Sequence, residues 1–250
     1  MMITVSVVSH GQWPLVAKLL EDFQSSCTDF AFELILTLNI PEPAVFDAAD
    51  YDFPVQIIRN LKPKGFGANH NTAFAQSRGH YFCVMNPDIR FSACPFGGLL
   101  ASFVDPSVGI AAPLVLGPTG QLEDSARKFP TPKKILGKLT SGSQQADYPS
   151  DGEVRVVDWC AGMLLLFPKQ VYAELQGFDE RYFLYYEDVD ICARLSLSQR
   201  QVAWCTQTQV VHHAQRTSHR QFKYTVWHIR SIARFFLSPV FRQLRGAGLL

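Results

Sequence analysis

The sequence predicts an α/β fold built on a parallel sheet, and three observations predict it. Short β-branched runs stand at Ile3 to Ser9, Phe32 to Leu38 and Val55 to Arg59. The first is followed by Leu15, Leu19, Leu20 and Phe23 at helical spacing. Each run ends in a polar residue, Ser9, Asn39 or Asn60, at the end of a strand where such folds gather their ligand-binding loops.

Composition narrows the class. With 250 residues, 47% hydrophobic and 18% charged, the chain suits a soluble globular protein with one large domain. A formal net charge of +1 gives no reason to expect nucleic acid as a partner. The basic residues gather at Lys133 to Lys138 and after Arg216, so any electrostatic partner is local. Cys27, Cys83, Cys94, Cys160, Cys192 and Cys205 show neither a C-x-x-C pair nor metal-ligand spacing and read as buried reduced thiols. No basic leader precedes the first apolar residues, and no window reaches the roughly 18 apolar residues of a spanning helix. A cytoplasmic protein is expected.

After the third strand, a glycine-bearing loop from Lys64 to Gly67 opens a helix expected from about Ala68 to Ser77. It lacks the third glycine of a dinucleotide fingerprint and the G-K-[ST] of a P-loop, although a helix start after glycines can face a phosphate. Asn69 and Asn71 are either solvated helix residues or ligand contacts. Tyr81 to Met85 reads as a buried strand that runs into Asn86-Pro87-Asp88. That triplet is either turn punctuation or, because it ends a central strand, a place for Asp88 to take a divalent cation bridging a diphosphate.

A helix is expected from Pro95 to Phe103 and a strand from Val108 to Val115. Lys128 to Arg155, rich in Pro, Gly, Ser, Gln and Lys, reads as a long mobile loop. Met163 to Phe167 is an apolar run, and a short helix at Lys169 to Leu175 ends at Gly177. The aromatic segment Phe178 to Tyr186 then leads to Glu187, Asp188 and Asp190 at the start of another helix. Acids there serve either as helix-dipole partners or as a general base beside a pocket wall. Gln201 to Thr206 reads as a strand, Val210 to His213 follows, and Gln221 to Phe241 is a helix with interspersed arginines. That tail either packs on the domain or lies on an anionic membrane surface.

The order of these parts is more specific than any one of them. N-x-x-x-K-G-F-G-x-N-x-N is followed by N-P-D, then W-x-A-G-M-L, then G-F-D-E-x-[YF]-F-x-Y-x-E-D-x-D-x-C-x-R, then V-x-H. The series resembles the family-2 inverting glycosyltransferases of the GT-A fold, above all the rhamnosyltransferase-like branch of bacterial cell-surface polysaccharide synthesis, over roughly Ile3 to Ser218. The resemblance implies a single nucleotide-binding, Rossmann-like domain at 1–217, with a mixed, mostly parallel sheet flanked by helices. Within it, the nucleotide half would cover about 1–90 and the acceptor half about 91–217, with 218–250 a basic amphipathic tail.

Residue by residue, the resemblance makes Asp88 and His212 ligands of Mg²⁺ or Mn²⁺ and Asp188 the base that deprotonates the acceptor hydroxyl. Ser9, His10, Asn39, Gly65, Asn69, Asn71 and Asn86 fall where the nucleoside-diphosphate sugar binds. Trp159, Ala161, Gly162 and Glu187 fall toward the acceptor, a saccharide or lipid-linked saccharide. His212 by itself is equally a strand-end core histidine, the role assigned to His213 and His219. The family usually carries V-D-N-x-S after the second strand, whereas this chain has Leu38-Asn39-Ile40-Pro41-Glu42, which leaves the nucleobase open. A catalytically inactive nucleotide-sugar-binding protein of the same fold is the alternative, and the missing G-x-G-x-x-G argues against a dehydrogenase. The expected location is the cytoplasm, with the tail placing the protein at the inner face of the membrane if it binds lipid.

Overall fold

The computed structural model describes residues 1–42, 50–141, 146–213 and 222–250, with the side chains of 136 and 138–141 excepted. Its first half is a parallel β/α array. Strand β1 (Met2–Ser9) leads to helix α1 (Trp13–Ser26), β2 (Ala31–Leu38), β3 (Val55–Arg59), helix α2 (Phe66–Phe74) and β4 (Tyr81–Met85). β1 pairs in parallel with both β2 and β4, and β2 pairs in parallel with β3. The register sets Ser9 against Leu38 and Leu38 against Arg59, so the polar loops after three strands open at one end of the sheet.

The second half turns the sheet mixed. The two-residue β5 (Ile89–Arg90) is followed by α3 (Phe96–Ala101), β6 (Val108–Leu116), β7 (Ala126–Arg127) and α4 (Pro132–Ser141). Then come β8 (Val154–Val157), β9 (Trp159–Cys160), β10 (Leu164–Pro168), α5 (Lys169–Glu174), α6 (Glu187–Leu197) and β11 (Gln201–His212). Helices α7 (Phe222–Leu237) and α8 (Pro239–Gly246) close the chain. The main sheet runs β3-β2-β1-β4-β10-β6-β11-β5 with β8 beside β11, and β7 pairs with β9 apart from it. β10 is antiparallel to β4 and β6, while β11 is parallel to β6 and antiparallel to β5 and β8. An all-parallel order therefore belongs to the first half alone.

Strand alternation builds two apolar layers. Leu34, Leu36, Cys83 and Met85 pack under Val16, Leu19, Leu20 and Phe23 of α1 and Phe96 and Leu99 of α3. Ile35, Phe82 and Val84 face the other layer, with Ala73, Tyr172, Val189, Ile191, Phe235, Phe241 and Leu244. The last three come from α7 and α8, so the tail helices bury part of themselves in the core beneath the sheet. Gln201 to Thr206 and Val210 to His212 belong to one strand, bent by a register shift between Cys205 and Gln209.

Three expectations are corrected. The α2 helix begins at Phe66 and ends at Phe74, earlier than expected, because Gly65 supplies its extended cap and Phe66 N–H bonds the Phe183 carbonyl at 2.9 Å. The stretch Lys128 to Arg155 is not all loop: Ile135 and its neighbours form α4, and Val154 and Arg155 begin β8 on the edge beside β11. Cys27 and Cys94 form a disulfide, with Cα atoms 5.0 Å apart. Neither spacing nor context marks that pair, since Cys27 caps α1 and Cys94 precedes α3, and only the packing of α1 against that loop joins them. Cys83, Cys160, Cys192 and Cys205 are buried thiols, as expected.

Candidate active site

At the mouth of the parallel half, an amide lattice replaces the expected acid. Asn39 Oδ1 accepts from Lys64 N–H at 2.8 Å and from Asn60 Nδ2 at 2.9 Å, while its Nδ2 donates to the Lys64 carbonyl at 3.0 Å. Asn60 Nδ2 also reaches Asn69 Oδ1 at 2.7 Å, and Asn69 Nδ2 donates to the Gly65 carbonyl at 3.0 Å. Asn39 and Asn69 are buried, so their first task is to hold the Lys64 to Gly67 loop. The loop after β2 does contain an acid, Glu42, but its oxygens accept from Gly11 and Trp13 N–H and serve the start of α1.

The other donor-side residues divide. Ser9 is fully buried and its hydroxyl accepts from Gln12 N–H at 3.1 Å, which shapes the turn into α1. His10 is exposed at the mouth, 3.3 Å from Asn39 Nδ2. Asn71 spans inward: its amide oxygen accepts from Tyr172 and Phe178, and its nitrogen donates to the Phe178 carbonyl and to Glu180. Gly65 is there for close approach, because a Cβ would stand 2.8 Å from the Phe183 carbonyl oxygen. The K-G-F-G loop is thus clasped to the aromatic segment that ends in the acids. His70, between them, is buried against Ser6, and burial pulls its pKa down to about 3.

Asn86 directly follows β4, its N–H on the Met163 carbonyl at 2.9 Å. The turn Ala161 to Met163 therefore lies between the N-P-D loop and the acids, and Gly162 N–H donates to Asp188 Oδ2 at 3.1 Å. Trp159 is buried on β9, its indole N–H on the Lys128 carbonyl and its ring beneath the Arg127 guanidinium at 5.6 Å. Gly162 is thus brought against Asp188, with Ala161 N–H on the Ser125 carbonyl at 2.8 Å and Trp159 two residues earlier on β9.

The acids separate by environment. Asp190 is buried and paired with Arg194 at 2.7 Å, and Arg194 also donates to the Leu175 and Gly177 carbonyls. Asp188 is half-buried, and its oxygens accept N–H bonds from Gly162 and Val189. Burial raises its pKa against the lowering effect of those bonds and of the Arg127 charge. Glu187 is buried with Oε2 unpartnered, and burial together with the Asp188 charge lifts its pKa well above the ordinary range. Tyr185 and Tyr186 before them both have left-handed backbones, φ 70° and 67°, a strained entry that turns the chain abruptly into α6.

Asp88 and His212 meet at the far end of the site. β5 pairs with β11 so that Ile89 opposes His212, and the His213 N–H bonds the Asp88 carbonyl at 2.8 Å. Asp88 Oδ2 stands 3.3 Å from His212 Nε2, while Asp88 Oδ1 is buried with no protein partner. Glu123, in the turn after β6, touches His212 Nδ1 at 2.8 Å. Burial pulls the His212 pKa down, but the bonds and charges of Asp88 and Glu123 overcome it and push it up to about 8. Among the described residues no cluster of three metal-ligating side chains occurs. His213 contributes only its backbone, and His219 lies outside the described residues.

Glu123 and Arg127 escaped the sequence reading. Their signal was the position of E-D-S-A-R just past a buried strand, where the rule that brought out Ser9, Asn39 and Asn60 applies again.

No family model matches the chain. The chain is 28% identical over 249 residues to the rhamnosyltransferase WbbL of Escherichia coli, covering 94% of this chain and 92% of that one. It is 27% identical over 241 residues to an N-acetylglucosaminyl-diphospho-decaprenol L-rhamnosyltransferase of Mycobacterium tuberculosis, covering 86% and 77%. Among solved structures, GalNAc-T7 with UDP, GalNAc and Mn²⁺ superposes with a TM-score of 0.68 at 14% identity, over 85% of this chain and 43% of that one. The mannosyltransferase PcManGT of Pyrobaculum calidifontis, with GDP-Man and Mn²⁺, superposes with a TM-score of 0.65 at 17% identity, over 99% and 68%. The ordered motifs and the similarity along nearly the whole length make this chain similar to the rhamnosyltransferases, on the fold of the GT-A glycosyltransferases.

Proposed function

We propose that the protein is a metal-dependent, inverting transferase that moves a sugar, rhamnose or a related hexose, from a nucleoside diphosphate to a hydroxyl of a lipid-linked saccharide. The observation that carries this reading is the two-ended site: Asp88, with Oδ2 facing His212 and Oδ1 buried and unpartnered, at one end, and Asp188 beside Gly162 at the other. A carboxylate and an imidazole nitrogen suit Mg²⁺ or Mn²⁺, with diphosphate oxygens and water completing the shell. Such an ion, when bound, neutralises charge on the leaving diphosphate. The Mn²⁺ with UDP and GalNAc in one superposed structure, and with GDP-Man in the other, supports the same reading.

At the other end Asp188 takes the proton of the acceptor hydroxyl as its oxygen bonds to the anomeric carbon. The bond from that carbon to the diphosphate oxygen breaks with its electron pair going to the diphosphate, and attack from the opposite face inverts the centre. Gly162 N–H and Val189 N–H orient the carboxylate. The elevated pKa of Asp188 brings its basicity closer to the task than that of an exposed aspartate.

Incubation with dTDP-rhamnose and with UDP- and GDP-sugars, with and without Mn²⁺, tests the assignment. Metal-dependent release of nucleoside diphosphate from one donor is expected, and an inverted glycoside with a lipid-linked acceptor. No release from any donor, with binding retained, would instead assign the chain as an inactive nucleotide-sugar-binding protein.

The tail supports a membrane-facing acceptor. α7 packs through Ser231 and Phe235, with the Ser231 hydroxyl on the Leu184 carbonyl at 2.8 Å and Trp227 against Phe183. Phe222, Val226, Ile229, Ala233 and Leu237 recur every three or four residues on the opposite side, a stripe within about 80° of arc. Phe222, Ile229 and Leu237 are exposed, and Lys223, Arg230 and Arg234 flank the stripe. From Phe222 to Leu250 the chain has no Asp or Glu. Such a face suits contact with anionic lipid. No described helix is long and apolar enough to cross a membrane.

A further inference from the structure

We propose that Glu123 is a positioning residue for the divalent cation: it fixes the ring and tautomer of His212 so that Nε2, bare of its proton, is offered beside Asp88. The inference rests on the metal reading of Asp88 and His212 and extends it to a third side chain that touches neither ion nor substrate.

Three observations carry it. Glu123 Oε2 lies 2.8 Å from His212 Nδ1, on the opposite side of the ring from Nε2, which faces Asp88 Oδ2 at 3.3 Å. The three side chains form one line, carboxylate to imidazole to carboxylate, and all are largely shielded, at 21%, 14% and 11% exposure from Glu123 to Asp88. The open valence of the line is at the Asp88 end, where Oδ1 is buried with no partner. A carboxylate that accepts Nδ1–H leaves the lone pair on Nε2 and makes that nitrogen a better donor, as outer carboxylates do for histidines that hold metals.

The backbone holds Glu123 for this task. After β6 the chain reverses through Gly117 N–H on the Gln121 carbonyl at 2.8 Å, and Leu122 bridges back to Leu116. Glu123 N–H then bonds the Val115 carbonyl at 2.9 Å, so the carboxylate rises beside β11, whose Val211 lies against Leu116. His212 is the next residue on β11. A two-strand register and a tight reversal thus set the Glu123 to His212 distance independently of either side chain. An ion pair serving stability alone would not require the unpartnered Asp88 oxygen at its far end.

The test uses the full-length chain, Mn²⁺ titrated in the presence of UDP or dTDP, and electron paramagnetic resonance. Free Mn²⁺ gives the affinity, and pulsed measurement of imidazole-nitrogen coupling reports whether His212 is bound. Wild type is expected to show that coupling and His212→Ala to lose it. Glu123→Ala is expected to bind Mn²⁺ about 10- to 100-fold more weakly, with weakened coupling. Glu123→Gln, which keeps the acceptor and loses the charge, is expected between the two, and Glu123→Asp to recover part of the loss. Melting curves identify any variant that fails to fold, and Glu123→Gln carries the test if Glu123→Ala does. Wild-type affinity and coupling in both Glu123→Ala and Glu123→Gln would overturn the role of Glu123 and leave the metal reading standing. Mn²⁺ binding without imidazole coupling in the wild type, or no binding, would overturn both.

Discussion

Asp188 and Asp190 are two residues apart on α6 and differ in every relation that matters. Asp190 is consumed by Arg194, which in turn ties α6 to the turn at Leu175 and Gly177, whereas Asp188 keeps an oxygen toward the Gly162 turn. Asp188→Asn is therefore expected to fold, bind donor and lose about 10²- to 10⁴-fold in kcat. Asp190→Asn should keep turnover per folded molecule and lose about 3 kcal/mol of stability, since it leaves the Arg194 charge without its partner. Steady-state rates set against urea unfolding separate the two. Retained transfer in Asp188→Asn would return the whole turn to a helix-dipole role. The raised pKa of Asp188 predicts an acid limb of kcat/KM above pH 3.8, the ordinary aspartate value, and Asp188→Glu should move that limb. Gly65→Ala, with its methyl against the Phe183 backbone, should cost about 1–3 kcal/mol and loosen donor binding together.

At the scale of elements, one buried acid sews the parallel half together. Glu33 on β2 accepts from Thr4 on β1 at 2.7 Å and from the Arg78 backbone and guanidinium at 2.7 Å in the turn before β4. Burial raises its pKa, but the bonds from Thr4 and Arg78 overcome that and leave it lowered from 4.5. A carboxylate depressed in the folded state contributes stability that is present above its unfolded value and lost as pH falls through the folded one. Wild type should therefore lose stability below pH 4.5, and the gap between it and Glu33→Gln should be full at pH 7 and shrink in that acid range. Thermal melts of both proteins between pH 3 and 7 check it, and a gap that stays constant would show that Glu33 acts by packing alone.

For the whole molecule, α7 presents two apolar faces, one closed by Phe183, Tyr186 and Phe241 and one open along Phe222, Ile229 and Leu237. The open stripe and its arginines should bring the protein down with vesicles containing anionic lipid and much less with neutral ones. The double variant Ile229→Glu, Leu237→Glu should stay in solution while keeping donor hydrolysis, because neither residue lines the site. Equal sedimentation with both vesicle types would remove the membrane from the proposal.

The long strands, the polar loops that follow those of the parallel half and the order of the motifs were legible in the sequence, because local periodicity and glycine or proline punctuation depend on near neighbours alone. Those features sufficed for the α/β class and for the resemblance to the glycosyltransferases. What Asn39, Asn69 and Asn71 bond to was not legible, since an amide looks alike in a chain whether it meets a ligand, Lys64 or Phe178. The same holds for the Cys27 and Cys94 pair, 67 residues apart, and for Glu123, 89 residues from the histidine it touches. Which of three neighbouring acids is paired, which is orphaned and which faces the Gly162 turn was decided by strand register and by the strained entry at Tyr185 and Tyr186. Such relations join distant segments, and only the packed sheet fixes the distances on which proton transfer and metal binding depend.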